Sequence, residues 1–208
     1  MTRAKGGSIP LWAAVTIALP IALAGCASKP ERFYTLDSAA ASTTSALNVS
    51  VSVGPVSIPA VVDTSSIMVS VGPSEVQPND LARWASPLRE SIAQAVAGDL
   101  SALLGTTRVS LAAYAWSSRP DYRVAIEVDR FESQVGEAAT LDALWMVRRN
   151  DKVVREGRTT IREQTQGTDM SALAAAHSRA LARLSEDIAL AIRSAGRAGG
   201  DAIDTPLR

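Results

Sequence analysis

Tyr122-Arg123-Val124-Ala125-Ile126-Glu127-Val128-Asp129 and, a few residues on, Leu141-Asp142-Ala143-Leu144-Trp145-Met146-Val147-Arg148 decide the fold. In the first run Tyr122, Val124, Ile126 and Val128 alternate with Arg123, Glu127 and Asp129; in the second Leu141, Ala143, Trp145 and Val147 alternate with Asp142 and Arg148. A period of two puts the apolar set on one side of a strand, so strands with one buried face are predicted over 122–131 and 139–149. Asn150-Asp151 comes next, and both residue types tolerate the left-handed backbone of a tight hairpin. A third strand is therefore expected over 152–164.

Outward from this hairpin the pattern changes. Toward the N-terminus a short strand is expected over 108–112, preceded by a helix from Leu81 to Leu104 whose stripe is Leu81, Trp84, Leu88, Ile92, Val96, Leu100 and Leu103. Asn79 or Asp80 is the expected cap and Gly105 the stop. Further back, Ser66 to Val71 reads as a strand, as does the stretch from Asn48, where Val49, Val51 and Val53 alternate with small polar residues; Pro55 and Pro59 then imply a sheet edge or a bulge. Toward the C-terminus, Met170, Leu173, His177, Leu181, Leu184, Ile188 and Ile192 predict a closing helix over 169–193, and 195–208 lacks periodicity and reads as a flexible tail. The sum is an α+β class: one domain, 48–194, with a mainly antiparallel sheet and two long helices packed on one face.

The first residues follow another logic. Arg3 and Lys5 precede an apolar run from Ile9 to Leu23, interrupted by Pro10 and Pro20 and shorter than the roughly 20 residues a membrane-spanning helix needs. Leu23-Ala24-Gly25-Cys26 resembles a lipobox, so residues 1–25 are expected to be a lipoprotein signal peptide and Cys26 the lipidated residue, carrying S-diacylglycerol and an N-palmitoyl chain. Cys26 is the sole cysteine of the 208 residues. An exported chain with one thiol has no internal disulfide to form, and acylation removes the thiol. Each buried methylene contributes roughly 0.8 kcal/mol, so two or three chains anchor far more durably than one. By analogy with the sorting rule of enteric bacteria, Ala27 after the cysteine points to the outer membrane, facing the periplasm. Residues 26–47, with a Ser/Ala/Thr tract at 37–46, are expected to form a linker, within which Phe33-Tyr34-Thr35-Leu36 is apolar enough for a short strand or docking segment.

Composition excludes some functions. Without the leader the chain carries 19 basic and 21 acidic residues, because Arg3 and Lys5 leave with it. A nucleic-acid partner needs a basic face, so none is expected. No nucleophile elbow, phosphate loop or dinucleotide turn occurs. The one histidine, His177, lies on an apolar stripe and reads as packing, so no metal site, cofactor or catalytic residue is assigned. Glu127 and Asp129, with Glu132 close by, are the one acid pair on a strand face, and their alternation with Ile126 and Val128 reads as a solvated face rather than a catalytic one. Trp84 and Trp145 sit at core phase, Trp116 in a loop. Arg158 and Arg162 share a strand face with Thr160 and read as charges guarding an edge.

The order of landmarks resembles a known family. Phe33-Tyr34-Thr35-Leu36, Val53-Gly54-Pro55-Val56-Ser57-Ile58-Pro59-Ala60-Val61-Val62-Asp63, Arg83-Trp84-Ala85-Ser86-Pro87-Leu88, Asp121-Tyr122-Arg123-Val124, and Phe131 before Trp145 are similar to the PqiC-like auxiliary lipoproteins of ABC-type transport systems. Members commonly place arginine after the aspartate, where this chain has Thr64. The resemblance implies a non-enzymatic, outer-membrane partner of an MCE-type lipid transporter that supports envelope integrity. Its implied partners are an MCE-domain protein with its permease and ATPase, and other copies of itself in a homo-oligomeric ring. The alternative is a structural or assembly lipoprotein of another envelope complex, without lipid passage.

Overall fold

In the computed structural model, which describes residues 29–114 and 119–200, the chain runs β1 (Arg32–Tyr34), β2 (Val51–Ser57), β3 (Ser66–Gly72), β4 (Glu75–Trp84), α1 (Leu88–Leu104), β5 (Val109–Leu111), β6 (Tyr122–Gln134), β7 (Ala138–Arg149), β8 (Lys152–Gln164) and α2 (Met170–Gly200). All of these elements fall in one compact unit that begins at Glu31. The class is α+β, with two mixed sheets: five strands in the order β5-β2-β6-β7-β8 and three in the order β1-β4-β3. The long ladders β6–β7–β8 are antiparallel, whereas β2 runs parallel to both β5 and β6. Asn150 and Asp151 both take positive φ, at 50° and 60°, as the hairpin between β7 and β8 requires.

The alternation in β6 and β7 produces the expected two-sided sheet. Tyr122, Val124, Ile126 and Val128 are buried with Leu141, Ala143, Trp145 and Val147 under the two helices, in one core with Ile92, Val96 and Leu100 of α1 and Leu181, Leu184 and Ile188 of α2. Trp145 fits there because its neighbour across the ladder is Gly157. A Cβ on Gly157 would lie 2.4 Å from the indole. The indole N–H donates to Thr159 Oγ1 at 3.0 Å, and that hydroxyl donates to Asp187 of α2 at 2.6 Å, so the ring is held by packing and by a hydrogen-bonded chain.

Bulges account for most departures from the sequence reading. In β6 the register slips between Val128 and Arg130, leaving Asp129 unpaired across the ladder, and the inward set moves from Val128 to Phe131 and Ser133. The strand thus continues to Gln134, past the expected end at Phe131. Gly54-Pro55 makes a similar break in β2, an interior strand, so the prolines there mark a bulge and not an edge.

The expected helix from Leu81 is corrected: Leu81 and Trp84 belong to β4, and α1 starts at Leu88. Asn79 Oδ1 does accept the amides of Leu81 and Ala82, as a cap would, but inside a large bulge where β4 slips against β3. Pro87 occupies the N-cap without a side-chain cap, and Gly105 closes the helix in the left-handed region.

The C-terminal expectation also changes, since α2 continues through 195–200; residues 201–208 lie outside the described residues.

Residues 37–46 form no regular element, yet they are not a free linker. Asp99, fully buried on α1, accepts through Oδ1 from the Ser38 hydroxyl at 2.8 Å and from the Ala39 and Ala40 amides at 2.9 Å each, and through Oδ2 from the Ser185 hydroxyl of α2 at 3.2 Å. Thr43 and Leu47 donate backbone N–H groups to Ala102 and Leu104, and Arg193 binds the Ser45 carbonyl. Small residues permit the approach: a Cβ on Gly98 would meet that of Ser38 at 2.9 Å. Only the chain before Glu31 is left outside the folded unit.

Two substitutions test this packing. Gly157→Ala should lower unfolding free energy by about 2 kcal/mol or more, the range for overpacking a core, as read by urea denaturation. Asp99→Ala removes the acceptor shared by the Ser38 hydroxyl and the Ala39 and Ala40 amides, while Ser185 keeps the Leu181 carbonyl, so a loss of roughly 1–3 kcal/mol is expected, with faster hydrogen exchange across 38–47 while the β6–β8 amides stay protected.

Candidate interface on the open sheet face

The side of the five-stranded sheet turned away from the helices carries Ser57 of β2, Arg123, Ala125 and Glu127 of β6, Asp142, Leu144 and Met146 of β7, and Glu156 and Arg158 of β8. Their order follows from the register: Ser57, Glu127, Leu144 and Arg158 lie in one cross-strand row, and Ala125, Met146 and Glu156 in the next. Pro55, at the bulge of β2, closes the near end. Of these, Pro55, Ser57, Ala125, Glu127, Leu144, Met146 and Glu156 line a groove of about 710 Å³. Its floor is apolar, through Ala125, Leu144 and Met146. Its rigidity comes from below, where Ile126 and Trp145 are fixed in the core.

Arginines neutralise the other acids of this face. Arg158 donates Nε to Asp142 at 2.8 Å and Nη2 to both Asp142 and Asp129, at 2.7 and 2.9 Å. Asp142 also accepts from Thr160, and the Arg158 guanidinium holds its carboxyl below the usual carboxylate range. Arg130 binds Glu132, and Arg162 binds Glu137 and Gln134. Arg123 reaches the Asp151 carboxylate. Glu127 and Glu156 make no hydrogen bond or ion pair with any described residue.

The candidates from the sequence therefore separate. Asp129 is engaged by Arg158 at the bulge and Glu132 by Arg130, while Glu127 stands on the groove; the three acids do not converge on one point. Arg158 and Arg162 act as cross-strand ties. Glu156, Leu144 and Met146 went unnoticed in the sequence, although there was a signal. Leu144 and Met146 are large apolar residues on the polar phase of β7, which a merely solvated face does not call for. Trp84 and Trp145 are buried. Trp116, like Leu23, Ala24, Gly25 and Cys26, lies outside the described residues.

His177 is the other group with chemical potential. It is fully buried in α2, stacked on Phe131 with ring centroids 4.0 Å apart and edge-on to Trp84, and its Nε2 lies 2.8 Å from Ser133 Oγ. Burial pushes its pKa down from 6.5 to about 3, so the ring is neutral. Ser133 and His177 resemble a nucleophile and base in type only. Both are sealed from solvent, and Nδ1 has no partner among the described residues that would orient the ring. Among the described residues no group of three or more His, Cys, Asp or Glu is placed to hold a metal ion.

Asp63 is paired with Arg89 of α1 at 2.6 Å.

A family model described as the ABC-type transport auxiliary lipoprotein component matches residues 34–189. The chain belongs to that family. The match takes in every element from the end of β1 into α2, and the family is one of transport auxiliaries, not of enzymes. Among solved structures, the auxiliary lipoprotein is similar to a Xanthomonas campestris protein of the DUF330 family, at 23% identity and a TM-score of 0.68, over 82% of this chain and 99% of that one. It is also similar to an uncharacterised protein at 16% identity and a TM-score of 0.66, over 79% of this chain and 99% of that one. Both share its fold. No curated protein matches. Among the described residues, no helix is long and apolar enough to cross a membrane.

The buried histidine gives the fold a pH dependence of known sign. The unfolded chain binds a proton at His177 below pH 6.5, and the folded protein refuses it until about pH 3. Stability from this group is complete above pH 6.5 and declines as pH falls, by about 2 kcal/mol at pH 5. Urea titrations at pH 7 and 5 should show that decline, and His177→Gln should flatten it, whatever its own stability.

Proposed function

We propose that this auxiliary lipoprotein is anchored in the outer membrane through lipid on Cys26, faces the periplasm, and serves as the non-enzymatic partner of an MCE-type ABC lipid transport system that supports envelope integrity. The family match over 34–189 carries the reading. The lipobox Leu23-Ala24-Gly25-Cys26 supports the anchor, since it stands at the end of an export leader and holds the sole cysteine.

In this reading the division of labour follows from what the chain contains. Energy comes from the ATPase, passage through the bilayer from the permease, and the bridge from the MCE-domain protein. The auxiliary lipoprotein contributes a rigid folded body at a fixed place. A homo-oligomeric ring is part of the same proposal, with the opening between copies rather than within one. The anchor also fixes distance: four residues, 27–30, separate Cys26 from Glu31, where the folded unit begins, in place of a linker of some twenty.

Cys26→Ser should leave a folded protein that fractionates with soluble periplasmic content and fails to restore resistance to envelope stress in a deletion strain. Full complementation by the unlipidated form would remove the anchor from the account. Envelope cross-linking under conditions that preserve complexes should recover an MCE-domain protein. Recovery instead of the components of an unrelated envelope machine would favour a purely structural lipoprotein.

A further inference from the structure

We infer that the groove on the open sheet face is a docking site for a basic amphipathic polypeptide segment carrying two cations about two helical turns apart with apolar residues between them. The inference deepens the proposed partnership by naming the chemistry of the segment that would sit there.

Charge selects the occupant. The acids Asp129, Asp142, Glu132 and Glu137 are each matched by an arginine within the chain, whereas Glu127 and Glu156, at opposite corners of the groove, are matched by no described residue. Glu127 belongs to β6 and Glu156 to β8, two strand spacings apart, and they are offset by two residues along the ladder. Strand spacing and rise then put them about 12 Å apart. The direct line between them crosses Leu144 and Met146. A segment that covers this floor displaces water from both carboxylates, and a carboxylate deprived of water without a cation is costly. A phospholipid surface brings phosphates to the same points and is repelled. A helix with lysine or arginine at i and i+7 brings cations roughly 10.5 Å apart on one face, with apolar side chains at i+3 and i+4 directed at the floor.

The floor suits such a partner. Leu144 is 39% exposed, an unusual place for a large apolar residue in mid-strand. Met146 adapts to varied apolar shapes. Beneath them the Trp145–Thr159–Asp187 chain keeps the surface pre-organised, so little ordering is lost when a segment binds.

The test uses the folded, lipid-free chain from residue 26 and two synthetic helical peptides of identical composition. One carries lysines at i and i+7 beside leucines; in the other the second lysine is moved to the opposite face. The matched peptide should bind about tenfold tighter by fluorescence anisotropy at low salt, and the preference should vanish in E127Q/E156Q and in 0.5 M salt. Neither glutamate has a partner among the described residues to lose, so the double variant should unfold at the wild-type urea midpoint. Equal binding of the two peptides, or a preference that survives E127Q/E156Q, overturns the proposal. So does protection of Leu144 and Met146 amides by phosphatidylglycerol vesicles in place of peptide. None of these outcomes bears on whether an MCE protein is recovered from the envelope, so the two readings fail separately.

Discussion

Everything in this molecule depends on the burial of one face of a five-stranded sheet beneath two helices. Val124, Ile126, Leu141, Ala143 and Val147 on the sheet, Ile92, Val96 and Leu100 on α1, and Leu181, Leu184 and Ile188 on α2 form a single apolar interior. A fully buried side chain of this kind contributes roughly 1.5–3 kcal/mol relative to exposure, so this layer far outweighs any of the surface ion pairs. Local features serve it. Gly157 admits Trp145, and the register shifts at Gly54-Pro55 and Asp129 reset the inward phase along β2 and β6. Because the helices cover only one side, the other side is left open, and that is where the unmatched acids and the out-of-phase Leu144 and Met146 are found.

Asp99 extends the same layer toward the N-terminus. A buried carboxylate is costly unless its hydrogen-bonding capacity is used, and here four donors from two distant parts of the chain, 38–40 and Ser185, use it. The result is mechanical. A Ser/Ala/Thr tract that would otherwise wander becomes part of the body, and the folded unit begins at Glu31.

The sequence was most legible where periodicity was strict. The β6–β7–β8 hairpins, the Asn150-Asp151 turn and the stop at Gly105 were all readable from local chemistry, because each depends on residues adjacent in the chain. β4 was misread because Leu81 and Trp84 stand three apart, like a helix stripe, and Asn79 accepts amides as a cap does; only its pairing with β1 and β3 makes it a strand. The end of β6 was missed because the bulge at Asp129 shifts the phase. Residues 37–46 looked free because composition says nothing of Asp99, some sixty residues away. The groove was half legible. Glu127 stood out as an acid, but Glu156 joins it only through two ladders of register, and that an acid lacks an arginine partner is a fact of space, not of sequence.

The claim at the centre of this account is that the helix-covered side is closed and the opposite sheet face does the work. A photoreactive residue placed in intact cells at Leu144, on the open face, and in a second strain at Leu190, exposed on the outer side of α2, tests it most directly. The account predicts adducts to a protein of an ABC transport system from position 144 and few or none from position 190. Adducts from position 190 alone would contradict it.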